Sequence, residues 1–129
     1  MREQLTGERH RLAVDIDGTI TDGHARWWEG EWGDPHENAI AWVNQQYING
    51  HTIMLYTARP EKVRPGTEAW LDKHGVRYHT LVMDKLSADL YVDNRSVPAL
   101  AIQGDDAPAV GEIADAVISA FDDRARDDV

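Results

Sequence analysis

Apolar residues in this chain come in short runs that break off at a polar or charged position, and the runs alternate with stretches of helical spacing. His10 to Asp15 reads as a first strand, with Leu12-Ala13-Val14 leading straight into Asp15. Thr52-Ile53-Met54-Leu55-Tyr56 reads as a second, ending at Thr57-Ala58-Arg59-Pro60. A third lies within Val76 to Met83, with Asp84-Lys85 just beyond it. Asp89-Leu90-Tyr91-Val92-Asp93 makes a short fourth strand and Leu100-Ala101-Ile102 a fifth. Between the first two, Asp34-Pro35-His36-Glu37 carries helix-start signals: a capping acid, proline at the first helical position and a glutamate placed for a capping box. Ile40, Val43 and Tyr47 follow at helical spacing, and Gly50 closes the helix. Pro65 opens a second helix carrying Trp70 and Leu71, which stops at His74-Gly75. Val110, Ile113, Ala114, Val117, Ile118 and Phe121 form the stripe of a final helix, with Asp105 or Asp106 as its cap. Residues 22–33 hold Trp27, Trp28 and Trp32 among glycines with no period, and predict a compact loop or small hairpin beside the carboxyl end of the first strand.

Strands alternating with helices predict an α/β fold: a Rossmann-like, doubly wound parallel sheet. The 129 residues suit one domain, with 1–9 as a loose lead-in and 122–129 as a polar tail. In such sheets a ligand binds outside the carboxyl ends of the strands. That rule selects Asp15, Asp17, Thr57, Lys85 and Asp93, the polar residues that follow successive apolar runs.

Composition narrows the partners. A formal net charge of −10 opposes binding of a long nucleic acid, which requires a basic surface that releases counterions. No apolar run is long enough to span a bilayer, and Met1 to Thr6 lacks the apolar centre of a signal peptide. With no cysteine there are no disulfides and no thiolate sites, which fits a cytoplasmic protein. The six histidines lack the spacing of a helical zinc motif, and His51, His74 and His79 fall at expected element edges. The sequence leaves the oligomeric state open, a homo-oligomer included.

The chemistry concentrates in Asp15-Ile16-Asp17-Gly18-Thr19. Two carboxylates one residue apart repel each other unless a cation or a shared proton intervenes, and Gly18 lets the chain turn sharply after the second. This string resembles the nucleophile motif of the haloacid dehalogenase (HAD) superfamily of phosphohydrolases. The later positions Thr57, Lys85 and Asp93 follow in the order of that family's remaining motifs, so the resemblance spans residues 11–98. It implies that Asp15 attacks phosphorus, that Asp17 serves as general acid and base, and that Asp15, the Asp17 backbone carbonyl and Asp93 hold Mg2+. It further implies that Thr57, with Ala58 and Arg59, binds the phosphoryl group and that Lys85 neutralises charge on the nucleophile. Asn94 departs from the pattern, since related enzymes often have a second aspartate there.

The spaces after the first and second strands leave no room for an inserted cap, so the resemblance is to a single, capless HAD core acting on a small phosphorylated metabolite such as a sugar phosphate or nucleotide. Leu55-Tyr56-Thr57-Ala58-Arg59 and Tyr91-Val92-Asp93-Asn94-Arg95 look like small phosphatases of capsule or surface-polysaccharide biosynthesis, and more distantly like the phosphatase domain of polynucleotide kinase-phosphatases. Without a cap, the tryptophan loop is expected to cover the site, with at least one of Trp27 and Trp32 touching the leaving group. The competing reading is that one or two of the three pack into the domain's own core, with Trp28 a candidate. Two rival readings are a two-component receiver domain and a catalytically silent HAD-like binding domain. In a receiver the phosphorylated aspartate ends the third strand, and the Asp-x-Asp-Gly-Thr string has no place.

Overall fold

The computed structural model describes residues 8–117. The lead-in up to residue 7, the polar tail and the stripe positions Ile118 and Phe121 lie outside the described residues. Three strands, β1 (Arg11–Val14), β2 (Thr52–Tyr56) and β3 (Thr80–Val82), form a parallel sheet in the order β1-β2-β3. Ala13 pairs with Met54 and Leu55 with Leu81, so the strands reach their carboxyl ends nearly in step. β2 is central: Ile53 and Leu55 are fully buried, and each such aliphatic side chain contributes about 2 kcal/mol of transfer free energy.

Each parallel crossover contains a helix, as parallel pairing requires. α1 (Glu37–Ile48) joins β1 to β2, and α2 (Arg64–Lys73) joins β2 to β3. α1 buries Ala39, Ile40, Val43 and Gln46, whereas Tyr47 is only partly buried and stacks on His79. α2 buries Thr67, Trp70 and Leu71 at i, i+3 and i+4. A last helix, α3 (110–117), begins at the buried Val110, whose N–H donates to the side-chain Oε1 of the buried Gln46 on α1 at 3.3 Å.

The helix-start signal was displaced by two residues. Pro35 bridges Thr21 as extended chain, and the His36 N–H donates to the Ile20 carbonyl at 2.8 Å, so neither can be helical. The cap is His36, whose Nδ1 accepts the Ala39 N–H at 3.3 Å, and Asp34 and Pro35 stand outside the helix. Asp105 and Asp106 likewise sit in a turn ahead of α3 rather than at its cap.

The fourth and fifth strands do not form. Residues 86–98 are all exposed, with Leu90 at 81% and Val92 at 97%, and none joins a ladder. Ala99–Ile102 is a short 3-10 turn that buries Ile102. Alternating apolar residues mark a strand only where a neighbouring strand pairs with them, and β1 pairs with β2 alone among the described strands. The order 3-2-1 is one half of a Rossmann-like doubly wound sheet; the second half is not seen among the described residues. The same order sets aside the receiver reading, because the 2-1-3 order of such domains places β1 between β2 and β3.

Candidate functional site

Past Val14 the chain wraps into a tight loop around one carbonyl. The Ile16 oxygen accepts the N–H groups of Thr19, Ile20 and Thr21 at 3.1, 2.9 and 3.0 Å. Ile16 and Ile20 are fully buried and anchor both ends of the loop, which leaves Asp15 and Asp17, on either side of Ile16, at its half-buried rim. Gly18 takes φ +81°, a left-handed conformation that a side chain would strain. The Gln103 side-chain amide donates to the Gly18 and Thr19 carbonyls at 3.2 and 3.1 Å and ties the loop to the turn after residue 99.

Asp17 is held by Arg59. Nε donates to Oδ2 at 2.9 Å and Nη2 to Oδ1 at 2.7 Å, a bidentate pair, while the Thr21 hydroxyl donates to Oδ1 at 3.4 Å. Arg59 itself is 1% exposed. Its remaining bonds run from Nη1 to the Thr67 hydroxyl at 3.2 Å and from Nη2 to the Trp32 carbonyl at 3.0 Å. The sequence assigned Arg59 to substrate; the structure instead makes it an internal clamp joining β2, α2, Asp17 and the tryptophan excursion.

Asp15 faces a different cation. Lys85 Nζ stands 3.8 Å from its Oδ1, and Lys85 is seated by two backbone bonds: its N–H donates to the Thr57 carbonyl, and the Thr57 N–H to the Val82 carbonyl, both at 2.9 Å. The ammonium also lies over the rings of Tyr56 at 5.1 Å and Tyr91 at 4.4 Å. Burial pushes the Asp15 carboxyl above its ordinary value; Lys85 and the Ile16 N–H oppose this, Asp17 adds to it, and Arg59 opposes it again. Thr57 is buried and its hydroxyl accepts the Arg59 N–H at 3.2 Å, while Ala58 beside it is exposed. Asp15, Asp17, Thr57, Ala58, Arg59 and Lys85 are thus gathered at the carboxyl ends of adjacent strands.

The tryptophan stretch is a small closed excursion. It leaves at Thr21 and returns at Pro35, which pair, and within it Arg26 and Glu31 exchange backbone bonds at 2.8 and 3.1 Å around a 3-10 turn. Trp32 packs against the core, its carbonyl engaged by Arg59, whereas Trp28 is 61% exposed. Trp27 is half-buried, edge-on to Trp28 at 5.1 Å. The inward tryptophan is therefore Trp32 and not Trp28, because the Trp70 indole donates to the Gly33 carbonyl at 2.9 Å and holds that end of the excursion on α2.

The magnesium set fares otherwise. Among the described residues no group of three His, Cys, Asp or Glu side chains lies where it could hold a metal ion. Both Asp17 oxygens are bonded to Arg59, and Asp93 sits in an exposed turn accepting the Arg95 N–H at 3.1 Å. The Asp17 carboxylate is thus committed to Arg59, and it is the Asp17 backbone carbonyl that the resemblance gives to magnesium.

Sequence reasoning missed Thr21, Thr67 and Gln103. A signal existed for Thr67, a threonine on the same buried helical stripe as Trp70 and Leu71, where a hydroxyl needs an internal partner. Thr21 lies at the edge of the motif itself, and Gln103 carries no such signal.

No family model matches the sequence, and no curated protein matches it either. Among solved structures, an MCSG target from Vibrio cholerae superposes with a TM-score of 0.68 at 24% identity, covering 81% of this chain and 93% of that one. A chain of a Pnkp1/Rnl/Hen1 complex superposes with a TM-score of 0.54 at 22% identity, over 69% of this chain and 32% of its own length. These likenesses show the fold: an α/β protein with a Rossmann-like parallel core. No described helix is long and apolar enough to cross a membrane.

Proposed function

We propose that the protein is a phosphomonoester hydrolase that works through an aspartyl-phosphate on Asp15, with a small phosphorylated metabolite such as a sugar phosphate or nucleotide as substrate. One observation carries the reading: a half-buried Asp15 carboxyl at the end of β1, with the Lys85 ammonium 3.8 Å away and a fixed carboxylate, Asp17, two residues on. The resemblance of Asp15–Thr19 to the HAD motif supports it.

In the first step an Asp15 oxygen bonds to phosphorus as the ester P–O bond breaks. The leaving oxygen takes that electron pair and a proton from Asp17. In the second, water attacks phosphorus, its proton passes to Asp17, and the bond to Asp15 breaks with its electrons returning to the carboxylate. Lys85 offsets the negative charge on Asp15 and on the transferring group. Thr57 and the neighbouring backbone N–H groups would hold the phosphoryl oxygens. Mg2+ is proposed as cofactor on the resemblance alone; it would ease the approach of two anions.

The test is phosphate release from a panel of phosphorylated metabolites with magnesium present, for the parent and for Asp15→Asn. Release by the parent and none by the variant is the expected result; release retained by Asp15→Asn contradicts the assignment. Asp93 standing apart favours a second reading, a silent phosphoryl-binding domain, for which phosphorylated ligands would raise the melting temperature with no release by the parent.

A further inference from the structure

We infer that Arg59 and Thr21 are positioning residues that leave Asp17 one usable lone pair, on Oδ2, and so select the atom that holds and receives the proton. The inference rests on the hydrolase reading of Asp17. A carboxylate offers about four acceptor positions, two on each oxygen. On Oδ1, one is taken by Arg59 Nη2 at 2.7 Å and the other by the Thr21 hydroxyl at 3.4 Å. On Oδ2, Arg59 Nε takes one at 2.9 Å, and a single position remains. The Asp17 side chain is still 31% exposed, so the carboxylate is not sealed off by its holders.

Neither holder is free to swing away. Thr21 is buried, and its oxygen also accepts the Gly18 and Gly23 N–H groups, each at 3.2 Å, which fixes it to the motif loop. Arg59 uses four hydrogen bonds of its five N–H donors inside the protein. At 1% exposure it offers a ligand almost no surface. Its Thr67 bond leaves from Nη1, the nitrogen that makes no bond to Asp17, which gives a control: loss of the Thr67 hydroxyl disturbs the same arginine without touching the carboxylate.

The experiment compares hydrolysis of an alkyl phosphate with that of a nitrophenyl phosphate, whose leaving group needs little protonation. Arg59→Lys keeps the charge and loses the bidentate fork. It should cost about a hundredfold on the alkyl ester and less than about tenfold on the nitrophenyl ester. Thr67→Val should leave the ratio of the two rates unchanged. Thr21→Val should lower the ratio in the same sense and Thr21→Ser restore it; this pair decides if Arg59→Lys does not fold. Equal losses on both esters in Arg59→Lys, or in Thr21→Val, overturn the inference. A parent inactive on both esters sinks the hydrolase reading instead. In that case thermal unfolding of Asp17→Asn, Arg59→Lys and the double variant decides the clamp: non-additive shifts support it and additive shifts overturn it.

Discussion

The two ends of the sheet use their polar groups in opposite ways. At the amino end a histidine immediately precedes each strand: His10 before β1, His51 before β2 and His79 before β3. His51 Nδ1 accepts the His10 N–H and His79 Nδ1 accepts the Ile53 N–H, both at 3.0 Å, and His10 stacks on His51 at 5.6 Å. These imidazoles satisfy backbone donors that begin the ladders. At the carboxyl end burial pushes the Asp15 carboxyl above its ordinary value, and a buried arginine is committed to holding a second carboxylate. The first arrangement serves the fold, and the second gathers charged groups against the cost of their burial.

The sharpest way to break this comparison is to remove the clamp. Arg59→Met leaves Asp17, the Trp32 carbonyl and the Thr67 hydroxyl without their shared partner and should destabilise the protein by about 3 kcal/mol in urea unfolding. A loss below about 1 kcal/mol would mean that water replaces the guanidinium and that the carboxyl end is no more demanding than the surface.

Next in size is Gly66→Ala on α2. An added Cβ would stand 2.1 Å from the Trp32 ring, which is packed against the core. Overpacking of about 2 kcal/mol should outweigh the helix-propensity gain of about 1 kcal/mol. In a Trp32→Ala background the sign should reverse, because only the propensity gain is left; persistence of the loss would show that the excursion is not what fills the space above α2.

The two ends should also separate by pH. Burial, then His10 and Arg9, hold His51 below the ordinary imidazole value. A depressed folded value means that the contribution is present above the unfolded pKa of about 6.5 and lost as pH falls through the folded value. His51→Asn, which keeps an acceptor for the His10 N–H, should therefore flatten the fall in melting temperature on mild acidification. Asp15 has the opposite sign. Its folded value is raised, so its contribution is full below the ordinary carboxylate pKa and is lost as pH rises through the folded value. Asp15→Asn should thus melt a few degrees above the parent at neutral pH, the smallest effect predicted here, and the gap should close in acid. A melting temperature for Asp15→Asn below the parent's at neutral pH would contradict the account of a carboxylate strained by burial.

Much of the fold was legible because its signals are local. β2 occupies the five residues of its apolar run, and α2 begins around Pro65 and ends before Gly75. The strand-end rule chose Asp15, Asp17, Thr57 and Lys85, and these four are brought together. Where the reading failed, a partner far along the chain decides the outcome. Leu90, Tyr91 and Val92 have strand-forming character but no described strand beside them, so they stay exposed and carry Asp93 with them. Pro35 reads as a helix start until its pairing with Thr21 is known. Arg59 after a threonine reads as a phosphate ligand, and only the positions of Asp17, Trp32 and Thr67, 42, 27 and 8 residues away, show its donors already engaged.

The central claim is that Asp15 carries the phosphoryl group. Rapid acid quench of the protein turning over a phosphorylated metabolite, followed by intact-mass measurement and mapping of the acyl phosphate, tests it directly. The account predicts one phosphoryl group on Asp15 in the parent and none in Asp15→Asn. Phosphate release with no modified aspartate, or a phosphoryl group mapped to another residue, would contradict it.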